Sequence, residues 1–214
     1  MTLDHQLLTS INALKYDFSP GKKEVADQLL HYVALINKWN RVHNLTAIRN
    51  TDEILTHHIV DSLSVLPHIK GSVLVDIGSG AGLPGIPIAI ANPNWRIVLI
   101  ERNQKKAAFL QQVRIELKLN NLEIFAKRAE HYQSVLKLNT IISRALSSLN
   151  DFINIAGHLC AGNDPDCRMV AMKGKYVDEQ NALLPEAFLV ERIVPVNVPG
   201  LNAERHLVII KKVN

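Results

Sequence analysis

Only two of the 214 residues are cysteine, Cys160 and Cys167, with six residues between them. That spacing is not a metal-ligand pattern, and reduced thiols of a cytoplasmic protein are the expectation. No run of about 18 apolar residues occurs, which excludes a membrane-spanning helix. The opening MTLDHQLLTS lacks a basic lead followed by an apolar stretch, so no secretory signal is expected. Internal repeats, low-complexity tracts and long linkers are missing as well, which excludes solenoids and arrays. The length suits one full core with at most a small appended part. Apolar residues at 47% and charged residues at 21% are ordinary proportions for a globular protein.

Charge is present in both signs but unevenly spread. Residues 1–70 hold seven Lys/Arg and seven Asp/Glu, residues 71–150 hold ten and five, and residues 151–214 hold seven and eight. The net charge of +4 therefore originates in the middle section. A local basic excess suits a polyanionic partner, and it also suits a merely solvated basic face.

Residues 1–70 read as an N-terminal helical extension. Ser19-Pro20-Gly21 opens a helix, with Pro20 suited to its first turn, and Val25, Leu29, Tyr32, Ile36 and Trp39 follow at steps of three and four. His43-Asn44-Leu45-Thr46 breaks that pattern. Thr51 can cap a further helix bearing Leu55, Ile59, Ser62 and Leu66. From residue 71 the chain reads as one compact α/β unit. Short apolar runs at 73–77, 96–101, 122–126, 140–145 and 168–173 alternate with helical patterns at 83–91, 105–119 and 149–159. That alternation predicts a mostly parallel, doubly wound sheet with helices on both faces. Runs at 188–198 and 206–212 predict an antiparallel C-terminal strand pair.

The chemistry concentrates in Val73–Pro87, VLVDIGSGAGLPGIP. Gly78, Gly80 and Gly82 alternate after a strand and before a helix, with Leu83, Pro84 and Gly85 next. Gly80-x-Gly82-x-x-Gly85 formally matches a dinucleotide fingerprint, but sharp turning and close ligand approach are needs that several nucleotides share. Asp76 shifts the balance. A carboxylate beside the turn repels a pyrophosphate and suits a cationic guest such as S-adenosylmethionine, acting on its amino-acid end through water or turn hydrogen bonds. An acid that only caps the turn is the plainer alternative. Glu101, about 20 residues on, ends the second strand, where an acid accepts both ribose hydroxyls.

Ligands of open α/β sheets sit at the carboxyl ends of the strands. Ala129-Glu130 would bring an N–H and a carboxylate near an adenine. Ser143-Arg144-Ala145 and Lys173-Gly174-Lys175 end later strands, and Arg128, Arg144 and Lys173 together are expected to clamp substrate phosphates. His57, His58 and Asp61 share a helix face; a hydrogen-bonded fastening of the N-terminal helices is expected there, not a metal site. No catalytic dyad stands out, and Asn or Asp followed by Pro-Pro and an aromatic is absent. That absence disfavours transfer to an exocyclic amine. Three classes stay open on the residues alone: an RNA methyltransferase, a nicotinamide-dependent oxidoreductase, and a non-catalytic RNA-binding protein.

Lys38-Trp39-Asn40 with Asn44-Leu45-Thr46, HHIVDSL at 57–63, DIGSGAGLPGIP at 76–87, ISRA at 142–145, Ser148-Leu149-Asn150, Leu184-Pro185 and ERHLV at 204–208 span nearly the whole chain. Together they resemble the RsmG family, also called glucose-inhibited division protein B. The resemblance implies a Rossmann-like class I methyltransferase fold. It also implies S-adenosylmethionine as cofactor and N7 of one guanine in 16S ribosomal RNA as target, either in naked RNA or in the 30S subunit. It carries cofactor contacts to Gly78, Leu83, Ala129, Glu130 and Arg144. One departure stands at the second strand end, where the family often has Asp and this chain has Glu101. Guanine N7 carries no proton, so alignment rather than a general base is required. Arg144 and Lys173 are then expected to position the substrate by its phosphates. A cytoplasmic monomer without membrane contact is the expectation for the protein.

Overall fold

The computed structural model describes residues 2–144, 148–160, 166–174 and 184–213. Ala145 and Lys175 lie outside the described residues. Seven strands, β1 (Val73–Ile77), β2 (Arg96–Ile100), β3 (Leu122–Phe125), β4 (Thr140–Arg144), β5 (Arg168–Lys173), β6 (Phe188–Pro195) and β7 (His206–Lys212), form one sheet in the order β3-β2-β1-β4-β5-β7-β6. The five strands from β3 to β5 run parallel, and β7 is antiparallel to both β5 and β6. The order reverses between β1 and β4, which opens a crevice at their carboxyl ends.

The helices are α1 (Leu3–Ala13), α2 (Lys22–His43), α3 (Thr51–Ile54), α4 (Asp61–Leu63), α5 (Gly85–Ala91), α6 (Gln104–Glu116) and α7 (Leu149–Ala156). Strand residues alternate between two faces. Leu74, Ile97 and Leu99 face a core shared with Leu29, Tyr32 and Ile36 of α2 and with Phe109 of α6. Val75, Ile77, Val98 and Ile141 face the other way, against Phe152, Ile153 and Ala156 of α7. The N-terminal helices thus cover the sheet directly. Burial of Leu29 and Ile36, both at 0% exposure, stabilises that packing by about 1.5–3 kcal/mol each.

The structure moves several expected boundaries. Pro20 lies in a turn ahead of α2, whose N-cap is Gly21 at φ +88°. Asn50, not Thr51, caps α3, its side chain accepting from the N–H groups of Asp52 and Glu53. Leu55–Val60 winds as a π-helix between α3 and α4, which a 3.6-residue period cannot reveal. Asn44, at φ +46°, ends α2 where the apolar pattern breaks. The helix expected at 149–159 changes to a 3₁₀ turn at Gly157–Cys160.

Candidate functional site

The turn after β1 is the centre of the site. Gly78 sits at φ +70°, and a Cβ built there would meet no atom within 4 Å, so its outer side is open. Gly82, at φ +90°, has no such freedom: a Cβ would fall 2.3 Å from the Ile86 side chain and 2.9 Å from that of Leu110. A glycine is required at the first for backbone conformation and at the second for conformation and space. The N–H groups of Gly78 and Ser79 donate to the Ile100 carbonyl at 2.9 and 3.2 Å, tying the turn to the end of β2. On the opposite side the Tyr32 hydroxyl of α2 donates to the Ala81 carbonyl at 2.5 Å. Leu83 is buried at the end of the turn.

Asp76 lies at 0% exposure beneath this turn. Its Oδ2 accepts from the Gly85 N–H at 2.9 Å, capping the start of α5. Its Oδ1 is buried with no hydrogen-bond partner among the described residues. Burial pushes the carboxyl up to about 7, against the Gly85 N–H and the nearby Arg144 cation, which favour ionisation.

Glu101 follows β2 and reaches back to the turn. Oε2 accepts from the Gly80 N–H at 2.9 Å, and Oε1 accepts from the Asn103 N–H at 2.7 Å. A carboxylate offers about four acceptor positions, so roughly two remain. Glu101 lines a cavity of about 330 Å³ together with Ile77, Gly78, Ile100, Arg102, Lys127, Arg128, Ala129, Glu130 and Ile155. Ala129 and Glu130 sit in a 3₁₀ turn after β3, with Ala129 buried and Glu130 exposed. The structure therefore brings Gly78, Glu101, Ala129 and Glu130 around one space. Asp76, Gly80, Gly82, Leu83 and Arg144 are not in that lining.

Arg144 ends β4 on the other side of β1. It donates to the main-chain oxygen of His57 at 3.2 Å and lies 3.4 Å from both His58 Nδ1 and Asp61 Oδ2. Asp61 is almost fully buried, and its Oδ1 accepts from Arg205 Nε at 3.0 Å. His58 Nε2 lies 2.7 Å from the Thr46 hydroxyl. Burial, then the Arg144 charge, lower the His58 imidazole to about 4, so it is neutral near pH 7. These residues join the helical section to the sheet, and among the described residues no group of three His, Cys, Asp or Glu could hold a metal ion. Lys173 ends β5, one strand beyond Arg144. Arg128 does not converge with them: it stands after β3, three strands from β4, about 14 Å away at ordinary strand spacing.

Comparisons with known proteins establish the family and the fold. Residues 25–208 match the family model described as rRNA small subunit methyltransferase G. The chain belongs to that family. A ribosomal RNA small subunit methyltransferase G from Nitrosospira multiformis is 58% identical over 189 residues, covering 86% of this chain and 88% of the relative. Another member of the methyltransferase G family, from Nitrosomonas eutropha, is 49% identical over 211 residues, covering 99% and 98%. Among solved structures, the glycopeptide N-methyltransferase MtfA complexed with S-adenosyl-L-methionine aligns with a TM-score of 0.57 at 9% identity, over 73% of this chain and 88% of that one. TrmN from Thermus thermophilus aligns at 0.54 with 14% identity, over 71% and 48%. These two likenesses concern the fold: a Rossmann-like methyltransferase sheet.

Two residues near the site escaped the sequence reading. Arg205 stood inside the ERHLV motif without a role, and its pairing with Asp61 spans 144 positions. Tyr32 read as one more apolar residue on a helix face. Its hydroxyl finds Ala81 only once α2 lies on the sheet, and no local pattern signals that.

Proposed function

We propose that the protein transfers a methyl group from S-adenosylmethionine to N7 of a guanine in 16S RNA of the small ribosomal subunit. One observation carries the reading: in a chain of this family, the open face of Gly78 and the carboxylate of Glu101 border one cavity at the sheet's switch point. The residues suit the cofactor. Spare lone pairs on Glu101 can accept from ribose hydroxyls, and Ala129 and Glu130 flank the far wall where an adenine would lie. Asp76 and Gly80–Leu83 would hold the amino-acid end, and the orphaned Asp76 Oδ1 is an acceptor suited to a cationic amino group nearby or through water. When bound, the cofactor supplies an electrophilic methyl group on a sulfonium.

On the substrate side, Arg144 and Lys173 hold phosphates and so aim the base. N7 is a bare acceptor, and none of the chain's groups has to remove a proton before attack. The product base is cationic, which favours placing these positive groups at the phosphates and not around the ring. Duplex RNA hides N7 in a deep, narrow groove, so the target lies in a loop or in locally opened RNA. Residues 1–70 act as a helical extension built onto the methyltransferase unit of residues 71–214. The enzyme works as a cytoplasmic monomer on ribosomal RNA or the 30S particle. No helix among the described residues is long and apolar enough to cross a membrane. Titration calorimetry tests the cofactor assignment: S-adenosylmethionine should bind and NAD should not, and the reverse result would overturn it.

A further inference from the structure

We infer that Tyr32 is a positioning residue for the cofactor turn, which makes helix α2 part of the site. The proposal rests on the S-adenosylmethionine reading above. Tyr32 is fully buried, and a buried phenol needs a hydrogen-bond partner. Its partner is not another helix residue but the Ala81 carbonyl, in the middle of the glycine turn and 49 positions away. Ala81 is itself buried at 5% exposure, so water is a poor substitute for that bond.

The turn needs such a pin. Gly78, Gly80 and Gly82 all have positive φ, and glycine is the residue that loses most freedom when it is fixed. From the sheet side the turn is held by the Ile100 carbonyl and the Glu101 carboxylate. Tyr32 holds it from the helical side. Its ring is fixed in turn: it stacks on Phe109 of α6 with centroids 6.4 Å apart, and Trp39 of α2 meets Phe109 edge-on at 5.5 Å. Helix α6 begins immediately after Glu101 and Asn103, so the two holds share a rigid base. Burial keeps the Tyr32 hydroxyl protonated, so the phenol is a neutral donor.

A turn braced on both sides presents the open side of Gly78 and the Glu101 carboxylate to a ligand without first being ordered, and pre-ordering of this kind raises affinity. The test is Tyr32→Phe, which keeps the ring and removes the donor. In the ligand-free protein, hydrogen exchange at residues 78–83 should quicken at least about 10-fold while β4 is unchanged. The Kd and KM for S-adenosylmethionine should rise about 10-fold, with kcat at saturation and the KM for RNA within about 2-fold of wild type. Lower thermal stability with unchanged exchange at 78–83 and unchanged Kd would overturn the proposal. If wild type itself fails to bind S-adenosylmethionine, the cofactor reading falls, while the exchange result still decides whether Tyr32 pins the turn. If Tyr32→Phe does not fold, 3,5-difluorotyrosine at position 32 provides a stronger donor in the same ring. It should slow exchange at 78–83, and unchanged exchange would overturn the proposal.

Discussion

Arg205 donates its Nε–H to Oδ1 of Asp61 at 3.0 Å, joining the entry to the last strand to the helical section. Arg144 lies against the other carboxylate oxygen at 3.4 Å. One buried acid thus orients two arginines. Asp61→Asn should cost about 2–4 kcal/mol of stability, because it leaves two partly buried cations short of a counter-charge. Methyl transfer should fall together with it, and urea denaturation alongside initial-rate assays checks both. An Asn variant with wild-type midpoint and rate would show that the arginines hold their places unaided.

Glu101→Gln should weaken S-adenosylmethionine binding about 10- to 100-fold. The amide retains an acceptor for one of the two N–H groups that the carboxylate now serves, and it offers fewer lone pairs to a ribose. Calorimetry with S-adenosylmethionine and S-adenosylhomocysteine measures the change. Both should weaken alike, since they share the adenosine.

The raised carboxyl of Asp76 makes stability depend on pH. Its folded value, about 7, lies above the ordinary 3.8. Between those values the folded chain keeps a proton that the unfolded chain has released, so the stabilisation is greatest below about 4 and is lost as pH rises through about 7. Asp76→Asn removes this dependence. The variant's Tm relative to wild type should climb between pH 5 and 8, read by thermal melts across that range. A constant difference would contradict it. Affinity of wild type for S-adenosylmethionine should rise over the same interval, as ionised Asp76 attracts the cationic ligand, and this rise should be missing from the variant.

Arg144→Ala and Lys173→Ala should each lower kcat/KM for RNA about 100-fold or more, as the loss of groups that position the substrate. Arg128→Ala should change it less than about 5-fold, because Arg128 is exposed and follows a strand three away from that of Arg144 and four away from that of Lys173. Single-turnover assays on the three variants separate these outcomes. Equal losses in all three would restore the convergent three-residue clamp that the sequence suggested.

Much of this fold is written in local patterns. The strand and helix periods from residue 73 onward give the parallel sheet, and the final apolar runs give the antiparallel β6–β7 pair. Gly78, Glu101, Ala129 and Glu130 were legible because strand ends in such sheets point to a common crevice. The π-helix at 55–60 was not legible, since six residues with i→i+5 bonding are too few to set their period apart from that of the flanking helix. Asp76 illustrates a different limit. Its presence beside the turn was plain, but an acid lining a pocket and an acid buried at a helix cap have the same sequence. Tyr32 and Arg205 depend on contacts made across long stretches of chain, where spacing carries no information. Arg128 shows a related limit: β3 and β4 are successive in the sequence but not in the sheet.

The central claim concerns where the methyl group goes. Wild-type enzyme, tritiated S-adenosylmethionine and 30S subunits or naked 16S RNA that lack the modification are combined, and the RNA is digested to nucleosides. Label recovered solely in N7-methylguanosine is the expected result. Label in any other nucleoside, or none in RNA from either substrate, would contradict it.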